Sequence, residues 1–149
     1  MSALYLFARI AGTAVAIRTE EIEAVVRLKD VSPVPGVPSH VVGLSALRSR
    51  VLTVVDAATL IMGPAAVPQP WPDGGRLAVM CDVGGHSYGV LVDSVEDIAA
   101  IPTPPLPLCG RVDRVWEPHA RAVVENEGRS HFVLSIASLL DQGLPAQVA

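Results

Sequence analysis

Residues 32–56 read Ser32-Pro33-Val34-Pro35-Gly36-Val37-Pro38-Ser39-His40-Val41-Val42-Gly43-Leu44-Ser45-Ala46-Leu47-Arg48-Ser49-Arg50-Val51-Leu52-Thr53-Val54-Val55-Asp56. Pro33, Pro35 and Pro38 lack a backbone donor, so residues 32–38 can be neither helix nor central strand and read as an ordered, extended connection. The apolar runs 41–47 and 51–55 have strand length and strand composition, and Arg48-Ser49-Arg50 joins them, which predicts a hairpin with a basic tip. Asp56 ends the second strand and stands where it can cap a short helix over 57–62.

The same grammar extends in both directions. Upstream, residues 4–10 and 14–17 form two strands around the turn Ala11-Gly12-Thr13. Thr19 is placed to cap one helical turn, with Glu20 and Glu21 at its positive end. Residues 22–28 alternate: Ile22, Ala24, Val26 and Leu28 share one face, and Glu23 and Arg27 lie on the other, as in a half-buried strand. Downstream, residues 63–75 are a proline-rich loop. Strands over 77–83 and 86–92 flank the tight turn Gly84-Gly85. A bend after Asp93 leads into another strand through Ile98, and 102–107 is a second proline-braced crossing. Strands over 122–125 and 131–136 flank a turn at 126–129, and a short helix covers 137–141. Nine or ten short strands with at most three short helices predict an all-β chain built from small barrels. Residues 1–149 read as one domain, with a core over 4–141 and a frayed tail at 142–149.

Composition agrees. Half of the 149 residues are hydrophobic and 17% are charged, which excludes a disordered chain. Val occurs 23 times and Ala 19 times against six aromatic residues, a strand-favouring balance. The net charge is −4, and no basic stripe exists that could follow a nucleic-acid backbone. The longest uncharged runs are broken by prolines and fall short of the ~18 residues a membrane span needs, so no membrane insertion is expected. No signal peptide is evident at the N-terminus, which points to the cytoplasm. Cys81 and Cys109 are too few and too far apart for a disulfide framework or a zinc site, and both are expected to be reduced and buried.

No catalytic set emerges. His40, His86, His119 and His131 show no metal-ligand spacing on one element. Asp56 and Asp93 both follow apolar runs; they suit a general acid/base pair, and they equally suit strand-end or helix-cap roles. Arg48 and Arg50 stand out in uncharged surroundings, either as a solvated turn or as an arginine paired with an acid and facing a partner.

The order of motifs resembles the CheW-like family, the coupling proteins of bacterial chemotaxis. The carriers are residues 32–38 followed by Val41-Val42-Gly43-Leu44, then Leu47-Arg48, then Val51-Leu52-Thr53-Val54-Val55-Asp56. In the second half they are Arg76-Leu77-Ala78-Val79-Met80 and Tyr88-Gly89-Val90-Leu91-Val92-Asp93-Ser94-Val95, then Phe132-Val133-Leu134-Ser135-Ile136-Ala137-Ser138-Leu139-Leu140. The chain carries Ser49, Thr53, Ala57 and Ala24 where the family usually has Gly, Pro, Leu and Glu. The resemblance implies two interleaved, five-stranded SH3-like β-barrels. It implies a non-enzymatic adaptor, monomeric in isolation and without metal or cofactor. Its partners would be a chemoreceptor's cytoplasmic tip and the regulatory domain of the histidine kinase CheA. It places Arg48 near the receptor surface and lines an apolar groove with Ile22, Val42, Gly43, Val92, Val95 and Ile98. Gly43 stands where a side chain would block a partner's backbone. Two alternatives remain open at this point: a CheW-like scaffold in a non-chemotactic two-component pathway, and a ligand-binding or enzymatic barrel using Asp56 and Asp93.

Overall fold

The computed structural model describes residues 3–63, 71–108, 114 and 116–143. The described residues form ten strands: β1 Ala3–Ile10, β2 Thr13–Arg18, β3 Ala24–Leu28, β4 Val41–Leu47, β5 Arg50–Asp56, β6 Arg76–Val83, β7 His86–Leu91, β8 Ser94–Ile101, β9 Ala120–Asn126 and β10 Arg129–Leu134. A 3-10 turn spans Thr19–Glu21, and two α-helices, α1 Ala57–Met62 and α2 Ile136–Gly143, each follow a strand. The strands form two five-stranded sheets, ordered β8-β1-β2-β10-β9 and β3-β6-β7-β5-β4. The middle of the chain makes the second barrel, and both ends combine to make the first.

The two barrels share one wiring. In each, an edge strand pairs antiparallel with the first strand of a hairpin (β8 with β1–β2; β3 with β6–β7). The hairpin's second strand then pairs in parallel with a strand from another hairpin, β2 with β10 and β7 with β5. The proline-braced segments close both barrels through single bridges, Leu106 to Val123 and Ser32 to Leu44. The order 3-4-5-6-7 of one barrel thus recurs as 8-9-10-1-2 in the other. The helices recur at matching places, α1 after β5 and α2 after β10.

This arrangement explains the burial pattern. Alternate residues of a strand face opposite sides. In β1, Tyr5 and Phe7 point into the first barrel with Ala16, Ile101, Val124 and Val133. Leu6, Ala8 and Ile10 point the other way, into a layer shared with Val55, Val79 and Val90 of the second barrel. A strand buried on both faces reads as a continuous apolar run, as residues 5–8 do. The second barrel has its own interior of Leu28, Leu52, Val54, Ala78, Met80 and Leu91. Each large side chain so buried contributes about 1.5–3 kcal/mol relative to exposure.

Several sequence expectations are corrected. β3 begins at Ala24, because Ile22 ends the 3-10 turn, its amide donating to the Thr19 carbonyl at 3.1 Å. Thr19 lies inside that turn; Arg18 precedes it and makes no side-chain cap bond. β10 stops at Leu134, because Ser135 opens α2: its Oγ accepts the Ser138 amide at 3.3 Å. α2 then reaches Gly143, so residues 142–143, expected to be frayed, belong to the helix. Cys81 is buried as expected. Cys109 and residues 144–149 lie outside the described residues.

Candidate docking groove between the barrels

At the start of β1 the seam between the barrels opens into a groove of about 270 Å³, lined by Leu4, Leu6, Thr19, Ile22, Glu23, Ala24, Val25 and Ile98. Register places Leu6 opposite Ile98 on one wall. The 3-10 turn and the start of β3 make the other wall. Three large apolar side chains stay in water here: Ile98 at 55%, Leu4 at 47% and Val25 at 37% exposure. The 3-10 turn is fixed in place by Glu21, whose Oε1 accepts the Ser135 hydroxyl at 3.0 Å and the Ala137 amide at 3.4 Å. One acid thus ties the groove wall to the start of α2.

A polar row crosses three adjacent strands of the second barrel, β5, β7 and β6, and ends at Glu23, just before β3, on the groove rim. Arg50 Nη1 donates to Glu23 Oε1 at 2.5 Å, and Nη2 donates to Asp82 Oδ1 and Ser87 Oγ, each at 2.7 Å. The Ser87 hydroxyl also donates to Asp82 Oδ1 at 2.7 Å. The hydrogen bond to Glu23, then the Asp82 and Glu23 charges, hold the Arg50 guanidinium more firmly protonated than usual against its partial desolvation. Of the two arginines singled out in the sequence, Arg50 is therefore the acid-paired one. Arg48 is exposed in a two-residue turn, where Arg48 (φ 50°) and Ser49 (φ 67°) are both left-handed. No ion pair of Arg48 occurs among the described residues.

Of the six residues expected to line a groove, the structure brings Ile22 and Ile98 together. Val95 is half-buried against the shared core, and Val92 is inside it. Val42 packs against the interior of the second barrel. Gly43 is buried, and the close approach it permits is made by this same chain: a Cβ there would meet the Ser32 carbonyl oxygen at 2.2 Å. Val42, Gly43, Val92 and Val95 do not line this groove: Val92 and Gly43 are buried, and Val42 and Val95 are partly buried against neighbouring segments. Leu4 and Val25 were missed. Val25 carried a signal, since it stands between Glu23 and Arg27 on the otherwise charged face of β3.

Asp56 and Asp93 do line one cleft, of about 540 Å³, with Arg27 and Arg76. Each is already engaged in holding the fold. Asp56 Oδ1 accepts the Ala58 amide at 3.0 Å as the cap of α1, and its Oδ2 lies 3.6 Å from Arg76 Nη1. Asp93 Oδ2 accepts the Gly12 amide at 2.7 Å. The cap role named for Asp56 in the sequence is thus the one the structure shows.

Comparison with known proteins bears on the whole chain. No curated protein matches it. Among solved structures, it is similar to the scaffolding protein TtCheW from Thermoanaerobacter tengcongensis, with a TM-score of 0.75 at 14% identity, covering 95% of this chain and 94% of that one. At that identity the likeness is one of fold. The family model for the CheW-like domain matches residues 4–143. That span holds both barrels, both closing bridges and both helices, and the chain belongs to the CheW-like domain family.

Proposed function

We propose that this protein is a non-enzymatic adaptor that couples chemoreceptors to the histidine kinase CheA, acting in the cytoplasm. The observation that carries the reading is the apolar groove at Leu4, Ile22, Val25 and Ile98, in a chain of the CheW-like family. A groove with an apolar floor and a polar rim suits the apolar face of a partner helix. Its lining offers one titratable group, Glu23, and an acid/base reaction calls for converging groups. No helix among the described residues is long and apolar enough to cross a membrane.

The test is co-sedimentation of the protein with receptor-bearing membranes and CheA. Ile98→Asp should abolish receptor association and leave the melting temperature nearly unchanged, because a carboxylate at this exposed position reaches water in the free protein. Receptor association that survives Ile98→Asp with the fold intact would remove the groove from the proposal.

A further inference from the structure

The rim of the groove on the side of the 3-10 turn carries a net negative charge. Glu23 lines the groove, and Glu20 stands in the 3-10 turn beside the lining residue Thr19, while Glu21 is turned to the start of α2. The facing wall, at Leu4, Leu6 and Ile98, is apolar; Glu96 and Asp97 line a separate cleft with Arg129 and His131. The nearby arginines are already claimed. Arg18 pairs with Glu20 at 3.1 Å. Arg50 is shared between Glu23 and Asp82, so one guanidinium serves two carboxylates and the row keeps a net negative charge. Arg50 also fixes where that charge sits, because it holds the Glu23 carboxylate at the rim while Glu23 remains 44% exposed.

We propose that the groove selects a partner helix whose apolar stripe is flanked by lysine or arginine, with Glu23 and Glu20 as the residues that read the flanking charge. This rests on the groove being the docking site and adds the electrostatic character of its occupant. Rim charges steer encounter and discriminate between partners more than they add affinity. Like charges brought face to face across a rim are disfavoured, so a helix flanked by glutamates is selected against.

The probes are two synthetic helical peptides with the same leucine stripe, one flanked by lysines and one by glutamates. Each is titrated against the full chain by fluorescence anisotropy at low and at high salt. The lysine-flanked peptide should bind about 3- to 10-fold tighter at low salt, the range expected from two or three exposed charge pairs. That preference should shrink at high salt. Glu23→Lys and, separately, Glu20→Lys should reduce or invert the preference, with thermal melts confirming that each variant is folded. Glu20 is 70% exposed, so its variant keeps the test standing if Glu23→Lys disturbs the Arg50 row. Ile98→Asp should remove binding of both peptides. Equal binding of the two peptides, or a preference for glutamates, combined with loss on Ile98→Asp, overturns the charge inference and keeps the groove. Binding that ignores Ile98→Asp, or no binding of either peptide, overturns the groove and the inference with it.

Discussion

Gly43 adopts φ +157°, and the Ser32 carbonyl oxygen lies where its side chain would begin. Gly43→Ala must push the proline-braced segment off β4, an overpacking cost of about 1–3 kcal/mol, read as a lower melting temperature. Gly43→Asp costs more, so lost receptor binding in that variant reports on folding and leaves the groove untested. A melting temperature unchanged by Gly43→Ala would contradict the packing described. The two arginines of the hairpin should separate in the same assay. Arg48→Ala, in an exposed turn, should change stability by no more than about 0.5 kcal/mol. Arg50→Ala leaves Glu23 and Asp82 without their shared cation, so its melting temperature should fall, and fall further at low salt than at high salt. Equal effects of the two substitutions would mean that the row across the sheet carries no stability. Cys81 offers a third reading at this scale. Burial, with the Asp82, Glu21 and Glu23 charges, pushes its thiol up to about 12. In a Cys109→Ser background the native protein should therefore resist iodoacetamide at pH 8, since the thiolate is the reacting form. Rapid alkylation without denaturant would contradict that burial.

The elements differ in how openly the chain announces them. Residues 22–28 alternate apart from Val25, and Ala24, Val26 and Leu28 turn inward as the pattern requires. The two-residue turns at Gly84-Gly85 and Glu127-Gly128 fall where glycine marks them. The Asp56 cap was one of the roles legible in the sequence, because a carboxylate between an apolar run and a helix-forming run suits an N-cap; the capping bond to Ala58 decides it. Leu4 was not separable in the same way. An unbroken apolar run does not say which of its residues stays in water, and that depended on where β8 and the 3-10 turn ended up. The boundary at Ser135 was hidden for a related reason, since Leu134 and Ile136 both suit a strand and only the capping bond at Ser138 settles it. Glu21, remote in sequence from α2, gave no sign of serving it. Glu21→Ala should cost about 0.5–2 kcal/mol, the range for loss of a helix cap. It should also raise amide exchange in α2 more than in β3. Uniform exchange in the two elements would show that Glu21 does not hold the helix.

At the scale of the whole molecule, the recurrence 3-4-5-6-7 and 8-9-10-1-2 means that neither barrel is continuous with half of the chain. A cut between residues 63 and 75 removes β6 and β7 from β3, β4 and β5, and separates β1 and β2 from β8, β9 and β10. We expect both pieces to be unfolded alone. A chain opened at the same place with its natural ends joined by a flexible linker should instead fold, because every strand pair survives. A cooperative melt from either separate half, or an unfolded permutant, would contradict this. Acid should also loosen the molecule. Burial lowers the pKa of His40, His119 and His131 below the ordinary 6.5. The unfolded chain therefore takes up protons first as pH falls. The stability these groups confer is complete above about pH 6.5 and declines through the window below it. Melting temperature should drop from pH 7.5 to pH 5, and a flat or rising profile would sink the assignment. The pairing of β2 with β10 carries a further consequence, for synthesis. Val15 meets Phe132, well over a hundred residues later in the chain. At about 5–20 residues per second, the first hairpin emerges from the ribosome roughly ten seconds before its parallel neighbour exists. During that interval Tyr5, Phe7 and Ala16 lack the Val124 and Val133 they close on, and we expect the nascent N-terminus to be a client for a ribosome-associated chaperone.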